Sequence, residues 1–129
     1  MRVTIDSDGV ARLRVKLDRA VSEAPEEAGK VVEKGALNIK NGMRRRVGGI
    51  AHAPAYPAAI TYDRSAGLRG PEAEIGPDKK RRQGALGNIL NYGSVNNAPI
   101  PHVEPAADEE LPRFEKAMED LAVRLLEDL

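Results

Sequence analysis

The chain has 129 residues, 41% of them apolar but only 3% aromatic, and its twenty basic and twenty acidic residues cancel. That length fits one domain whose core buries roughly two-thirds of the unfolded surface, and the zero net charge removes any global electrostatic argument for a nucleic-acid or membrane partner. The absence of cysteine excludes a disulfide framework, a thiolate metal site and a Cys nucleophile.

At the N-terminus Val3 and Ile5 alternate with polar residues before the turn cluster Asp6-Ser7-Asp8-Gly9, which fits a short strand or an ordered arm. The segment has acids and no long apolar core, so it reads as neither a signal nor a transit peptide, and no run approaches the ~20 apolar residues that span a bilayer. Val10, Leu13, Leu17 and Val21 then recur at helical spacing, which predicts a helix over residues 10–21. Pro25 breaks that pattern. Because proline suits the first turn of a helix and costs ~3 kcal/mol inside one, a second helix is expected from Pro25-Glu26-Glu27.

That second helix is the long amphipathic one, running to Val47. Ala28, Val31 or Val32, Ala36, Ile39, Met43 and Val47 form its apolar stripe. Gly29, Gly35 and Gly42 each weaken it by up to ~1 kcal/mol, a loss that tertiary or intersubunit contact has to offset. Arg44, Arg45 and Arg46 followed by Gly48-Gly49 place cations and a left-handed cap at its negative end, so a capping role already accounts for them.

Residues 50–59, with prolines at 54 and 57, are expected to be irregular. Ile60-Thr61-Tyr62-Asp63 and Glu72-Ala73-Glu74-Ile75 read as a two-stranded antiparallel hairpin with residues 64–71 as its loop, packed on the long helix or joined by strands from elsewhere. Residues 73–105 read as a long Pro/Gly-rich arm: Gly76-Pro77-Asp78 ends the strand, Lys79-Lys80-Arg81-Arg82 follows, Leu86, Ile89, Leu90 and Tyr92 form a short apolar segment, and Pro99, Pro101 and Pro105 space the exit. Beyond it Leu111, Phe114, Met118, Leu121, Leu125 and Leu129 define a C-terminal helix led by Asp108-Glu109-Glu110, with Pro112 in its first turn. The fold class is therefore α+β, the long helix and the C-terminal helix packing on a small antiparallel sheet.

Catalytic chemistry finds no constellation in this pattern. Gly84-Ala85-Leu86-Gly87 lacks both the Walker and the dinucleotide spacing. His52 and His102 stand beside prolines with no partner at metal-ligand spacing, and Ser7, Ser22, Ser65 and Ser94 lack a nucleophile elbow. No enzyme activity, cofactor or metal is expected. Asn96 and Asn97 read as turn residues, while Asn88 and Asn91 fit either turns or amide contacts to a neighbour. Lys79, Lys80, Arg81 and Arg82, with Arg44, Arg45 and Arg46, read either as solvated or subunit-facing charge or as sequence-blind contact with DNA phosphates.

Ile60-Thr61-Tyr62-Asp63, Ala73-Glu74-Ile75-Gly76-Pro77-Asp78, Gln83-Gly84-Ala85-Leu86-Gly87-Asn88-Ile89-Leu90-Asn91-Tyr92-Gly93 and Asn97-Ala98-Pro99-Ile100-Pro101-His102-Val103-Glu104-Pro105-Ala106 together resemble the head-to-tail joining, or tail-completion, family of long-tailed double-stranded DNA bacteriophages. The order of helix, strands, Pro-spaced arm and closing helix is also similar, so the resemblance covers residues 15–126; the 79–82 run is more basic than the family pattern. The resemblance implies a virion protein at the head-to-tail junction, a neck subunit (tail terminator or connector). It would form a hexameric homo-oligomeric ring that contacts other neck proteins and the tail tube and lets DNA pass. Its subunit contacts are then expected from Leu86, Ile89, Leu90 and Tyr92 and from Asn97, Pro99, Ile100, Pro101, His102 and Pro105. The basic residues would face DNA. The alternative is a small nucleic-acid-binding accessory protein that uses the same two basic clusters.

Overall fold

The computed structural model describes residues 3–5, 24–68 and 70–127, and the helix expected over residues 10–21 lies outside them. The elements are β1 (Val3–Ile5), α1 (Ala24–Arg46), the short α2 (Tyr56–Ala59), β2 (Ile60–Gly67), β3 (Gly70–Pro77), a 3-10 turn (Gly84–Leu86), α3 (Gly87–Tyr92) and α4 (Val103–Glu127). Helices and a small antiparallel sheet make this an α+β fold.

The stripe on α1 behaves as its spacing requires. Val32, Ala36, Ile39 and Met43 are fully or almost fully buried, Glu26 and Glu27 sit in its first turn, and Arg44, Arg45 and Arg46 close its last. The helix packs on the sheet on one side and on α4 on another. Ion pairs from Arg45 and Arg46 to Glu109 at one end, and from Arg124 to Glu27 at the other, set α4 antiparallel to it.

Gly42 of α1 serves tertiary contact. A Cβ at Gly42 would stand 3.3 Å from the Ala106 Cβ and 3.1 Å from Arg46 Nη1, so the bare backbone is what lets α4 approach. The seam also buries Glu110. Its Oε1 accepts a hydrogen bond from Asn38 Nδ2 (2.9 Å), whereas Oε2 lies 3.3 Å from Arg113 Nε without hydrogen-bond alignment.

β3 is the centre of a three-stranded sheet of order β1-β3-β2, with both neighbours antiparallel to it. Ile60 pairs with Pro77 and Gly67 with Gly70 on one side, while Val3 pairs with Ile75 and Ile5 with Ala73 on the other. Ala73 and Ile75 point into the core and Glu74 faces out, the period-2 pattern of a half-buried strand. The hairpin is longer than the sequence reading allowed. Residues 64–67 and 70–71 continue the ladder, so of the expected loop's described residues only Leu68 stays outside it.

The core is rich in alanine and aliphatic side chains, as the aromatic-poor composition implied: Ala28, Val32, Ala36, Met43, Ile60, Ala73, Ile75, Ala106, Met118, Leu121 and Leu125 form one cluster, to which Tyr56 and Phe114 add the only fully or nearly buried Tyr or Phe rings among the described residues. Two expectations about the second half need correction. About half of the stretch 73–105 is regular, in β3, the 3-10 turn, α3 and the start of α4, and residues 78–83 and 93–102 are irregular. The last helix begins at Val103, not at 108, so Pro105 occupies its first turn and Pro112 lies deep inside it. There Pro112 removes the N–H that would reach the Asp108 carbonyl; both residues are exposed, so water can take that carbonyl instead. No helix among the described residues is long and apolar enough to cross a membrane.

Candidate assembly surface

A six-residue helix such as α3 is too short to persist alone. It is held because Leu90 enters the core and because the chain after it folds back. Ile100 N–H donates to the Leu90 carbonyl (2.7 Å) and Gly93 N–H to that of Ile89 (2.9 Å). Gly93, at φ 81 and ψ 178, occupies a region essentially reserved for glycine. A Cβ there would also stand 2.9 Å from Pro99 N. Between these anchors Ser94 and Asn97 close a turn, with Ser94 N–H on the Asn97 carbonyl (2.9 Å) and Asn97 Nδ2 on Ser94 Oγ (3.2 Å). Asn97 is thus a turn residue, as expected.

Asn91 is neither a turn nor a surface amide. Its Oδ1 accepts from the backbone N–H groups of His102 (2.9 Å) and Val103 (3.1 Å), and its Nδ2 donates to Glu104 Oε2 (3.2 Å). Two of the N–H groups orphaned at the start of α4 are thereby satisfied from another element. Tyr92 Oη donates to Glu104 Oε1 (3.0 Å), and the Glu104 carboxyl is held below the usual range, first by its own backbone N–H and then by Asn91.

His102 completes the latch. Its ring is fully buried, with Nδ1 2.8 Å from the Ile100 carbonyl and Nε2 2.7 Å from Tyr56 Oη. A carbonyl can only accept, so Nδ1 carries the proton and Nε2 accepts from the tyrosine. The two rings meet edge-on, with centroids 5.4 Å apart. Burial pushes the imidazole pKa down against the opposing pull of the Ile100 carbonyl and Glu104, and burial pushes the Tyr56 phenol up to about 12. Both rings therefore stay neutral at neutral pH.

These placements divide the expected contact residues. Leu90 and His102 are core residues of the subunit and are removed from the surface set, because one fills the core under α3 and the other has both ring nitrogens engaged inside. Leu86 and Ile100 are half-buried against the same core, and Pro105 is half-buried in the first turn of α4, where its missing N–H costs nothing. Ile89, Tyr92, Asn97, Pro99 and Pro101 remain exposed. To them the structure adds Val95, at the tip of the turn, and Leu68, at the tip of the hairpin, which are 102% and 108% exposed. The signal for both was an apolar residue with no periodic partner inside a Gly/Ser/Asn or Gly/Arg turn.

The basic clusters separate in the same way. Arg44 is half-buried and donates through Nε (3.1 Å) and Nη2 (2.7 Å) to the Ile60 carbonyl, tying the end of α1 to the start of β2. Arg45 and Arg46 pair with Glu109, and Arg46 also donates to the Gly42 carbonyl (3.0 Å). These three guanidinium groups are committed within the subunit, which corrects their reading as a free phosphate-binding patch.

The 79–82 run is held differently. Asp78 Oδ1 accepts from Lys80 N–H (2.9 Å), the Asp78 carbonyl from Arg81 N–H (3.0 Å) and the Arg81 carbonyl from Gly84 N–H (3.0 Å). Gln83, in the left-handed region at φ 63, accepts from Ala55 N–H through Oε1 (2.6 Å). Gly84 is obligatory, since a Cβ would fall 1.8 Å from the Asp78 carbonyl oxygen. Arg81 is partly engaged, reaching the Ala58 carbonyl (3.2 Å). Lys79, Lys80 and Arg82 are exposed and have no side-chain partner among the described residues. The result is an ordered turn that displays three unpaired cations.

No protein-family model, no curated protein and no solved structure matches this chain.

Proposed function

We propose that the chain is a structural subunit of a bacteriophage neck ring, a tail terminator or head-to-tail connector that joins the tail tube to the head and lets DNA pass. One observation carries the structural side of this reading. The segment from 84 to 102 is latched rigidly to the core through Asn91, His102 and Tyr56, yet its outer side presents Ile89, Tyr92, Val95, Pro99 and Pro101 uncovered. Large apolar groups displayed from an ordered, internally hydrogen-bonded segment suit a protein partner, and a projecting hairpin with Leu68 at its tip offers a second reach toward a neighbour. The motif resemblance supplies the identity of that neighbour: another copy of the chain, then the tail tube.

The test is mass and imaging. Light scattering and negative-stain microscopy of the purified chain, alone and with tail tubes, should give rings, at the latest on tube ends. A chain that stays monomeric and docks on neither tubes nor connectors refutes the reading.

A second reading, a nucleic-acid-binding accessory protein, is favoured by the three unpaired cations Lys79, Lys80 and Arg82. It requires salt-dependent duplex binding by the free chain that weakens when these residues are neutralised. Absence of binding at low salt removes it.

A further inference from the structure

Many of the charged side chains among the described residues are paired with one another: Arg45 and Arg46 with Glu109, Arg64 with Glu33, Arg113 with Glu109 and Glu110, Lys116 with Asp120, and Arg124 with Glu27. Apart from Lys34 and Glu26 on α1 and Glu72 on β3, the charges left over among the described residues fall into two groups of opposite sign. The unpaired cations Lys79, Lys80 and Arg82 gather on the turn between β3 and the 3-10 helix. Unpaired acids gather on α4. At about 100° per residue, Asp108, Glu115 and Glu119 fall within roughly 40° of one another on the helix circumference, and all three are exposed with no side-chain partner among the described residues.

That face of α4 is also apolar in part. Val123 and Leu126, 54% and 45% exposed, lie within roughly 60° of Asp108 on the same projection. The cations of the helix that could neutralise the acids, Arg113 and Lys116, point to other carboxylates. The core side of α4, with Phe114, Met118, Leu121 and Leu125, is turned away. Among the described residues, an exposed helix face carrying acids and uncovered leucine and valine is therefore left without a partner.

The two surfaces cannot satisfy each other within one subunit. Side-chain contacts from the basic turn run to Ala58 and Asp78, and none reaches α4. We propose that the basic turn of one subunit docks on the α4 face of a second copy, Lys79, Lys80 and Arg82 meeting Asp108, Glu115 and Glu119. Donor and acceptor patches differ, so the contact is head-to-tail and repeats, which is the interface type that closes rings. It rests on the reading of the chain as a ring subunit and adds a charged contact between neighbouring copies to the apolar one. With net charge zero no overall repulsion opposes it, and opposite charges on the rim fix orientation while Val123 and Leu126 lose contact with water.

Full-length chains with reversed charges test the pairing. One variant carries Lys79→Glu, Lys80→Glu and Arg82→Glu; the other carries Asp108→Lys, Glu115→Lys and Glu119→Lys. All six positions are exposed, and circular dichroism checks that both variants stay folded. Association is read by sedimentation velocity over a concentration series at low salt and by negative stain on tail tubes.

Wild type should associate, less so as salt rises. Each variant alone should associate at least about tenfold more weakly, since its turn and its α4 face now repel. The equimolar mixture should regain wild-type association, because each turn again finds an opposite face. Variants that associate like wild type, or a mixture that does not recover, overturn the pairing while leaving the ring itself standing. A wild type that stays monomeric in solution and on tubes overturns both. Loss of duplex binding in the first variant with association unchanged assigns the turn to nucleic acid and also overturns the pairing.

Discussion

Replacing Asn91 with alanine isolates what holds the arm to the body. The side chain is 3% exposed, and its Oδ1 is the acceptor for both His102 N–H and Val103 N–H. Removing it strands two donors at the start of α4. Each buried N–H left without an acceptor costs about 1–3 kcal/mol, and loss of a helix cap alone costs ~1 kcal/mol. The neighbouring Pro101 and Glu104 are exposed, so water can reach part of the site and the lower half of the range applies. The expected loss is about 2–3 kcal/mol, a fall in Tm of roughly 6–12 °C for a domain of this size.

Urea unfolding followed by far-UV circular dichroism measures it, with the m-value unchanged if the native state stays intact. Asn91→Asp keeps the two-fold acceptor at a helix N-terminus but replaces the Nδ2 donor to Glu104 with an oxygen that repels it, so it should recover only part of the loss. An Asn91→Ala chain within about 0.5 kcal/mol of wild type would refute the assignment, since it would mean that those N–H groups were already reached by water.

The pH dependence should follow His102. Burial lowers its folded pKa below the ordinary 6.5, so the unfolded chain binds more protons below that pH. Its stabilising contribution is complete above about 6.5 and is lost as pH falls, by at most ~1.4 kcal/mol per pH unit. Glu104 and Glu109, whose carboxyls are held low, keep their contributions until pH falls below the ordinary 4.5. Unfolding measured between pH 6.5 and 4.5 should therefore show a slope that disappears in His102→Gln; an NMR titration placing His102 at 6.5 in the folded chain would contradict the burial argument. Gly93→Ala should destabilise by about 1–3 kcal/mol from backbone strain alone, with added clash against Pro99. Thermal melts check it, and a neutral result would show that the turn can relax.

How much of this was legible beforehand depends on the range of the interaction involved. The stripe of α1, the paired runs around Ile60 and Ile75, and the repeat from Phe114 to Leu125 were all readable, because burial on one face imposes a period on neighbours three, four or two residues apart. The start of α4 is not legible from adjacent residues. Val103, Pro105 and Ala106 look like a Pro-spaced arm until Asn91, eleven or twelve residues earlier, supplies the cap that permits a helix there. For the same reason Pro112 falls inside the helix and not in its first turn.

The candidate surface divides along that line. Local chemistry located the run 79–82, the Gly93 to Asn97 turn and the exposed prolines, since turn propensity and charge are properties of adjacent residues. Only the tertiary structure decided which of them face outward. His102 and Leu90 went inside because Tyr56 and the core waited for them from distant parts of the chain. Arg44, Arg45 and Arg46 were consumed by the Ile60 carbonyl and Glu109. Sequence by itself determined the types of the long elements, the small aliphatic core and the charge balance, but not the short helices at 56–59 and 87–92. The fold determined which charges are left unpaired, because pairing depends on distances in space that no local spacing encodes.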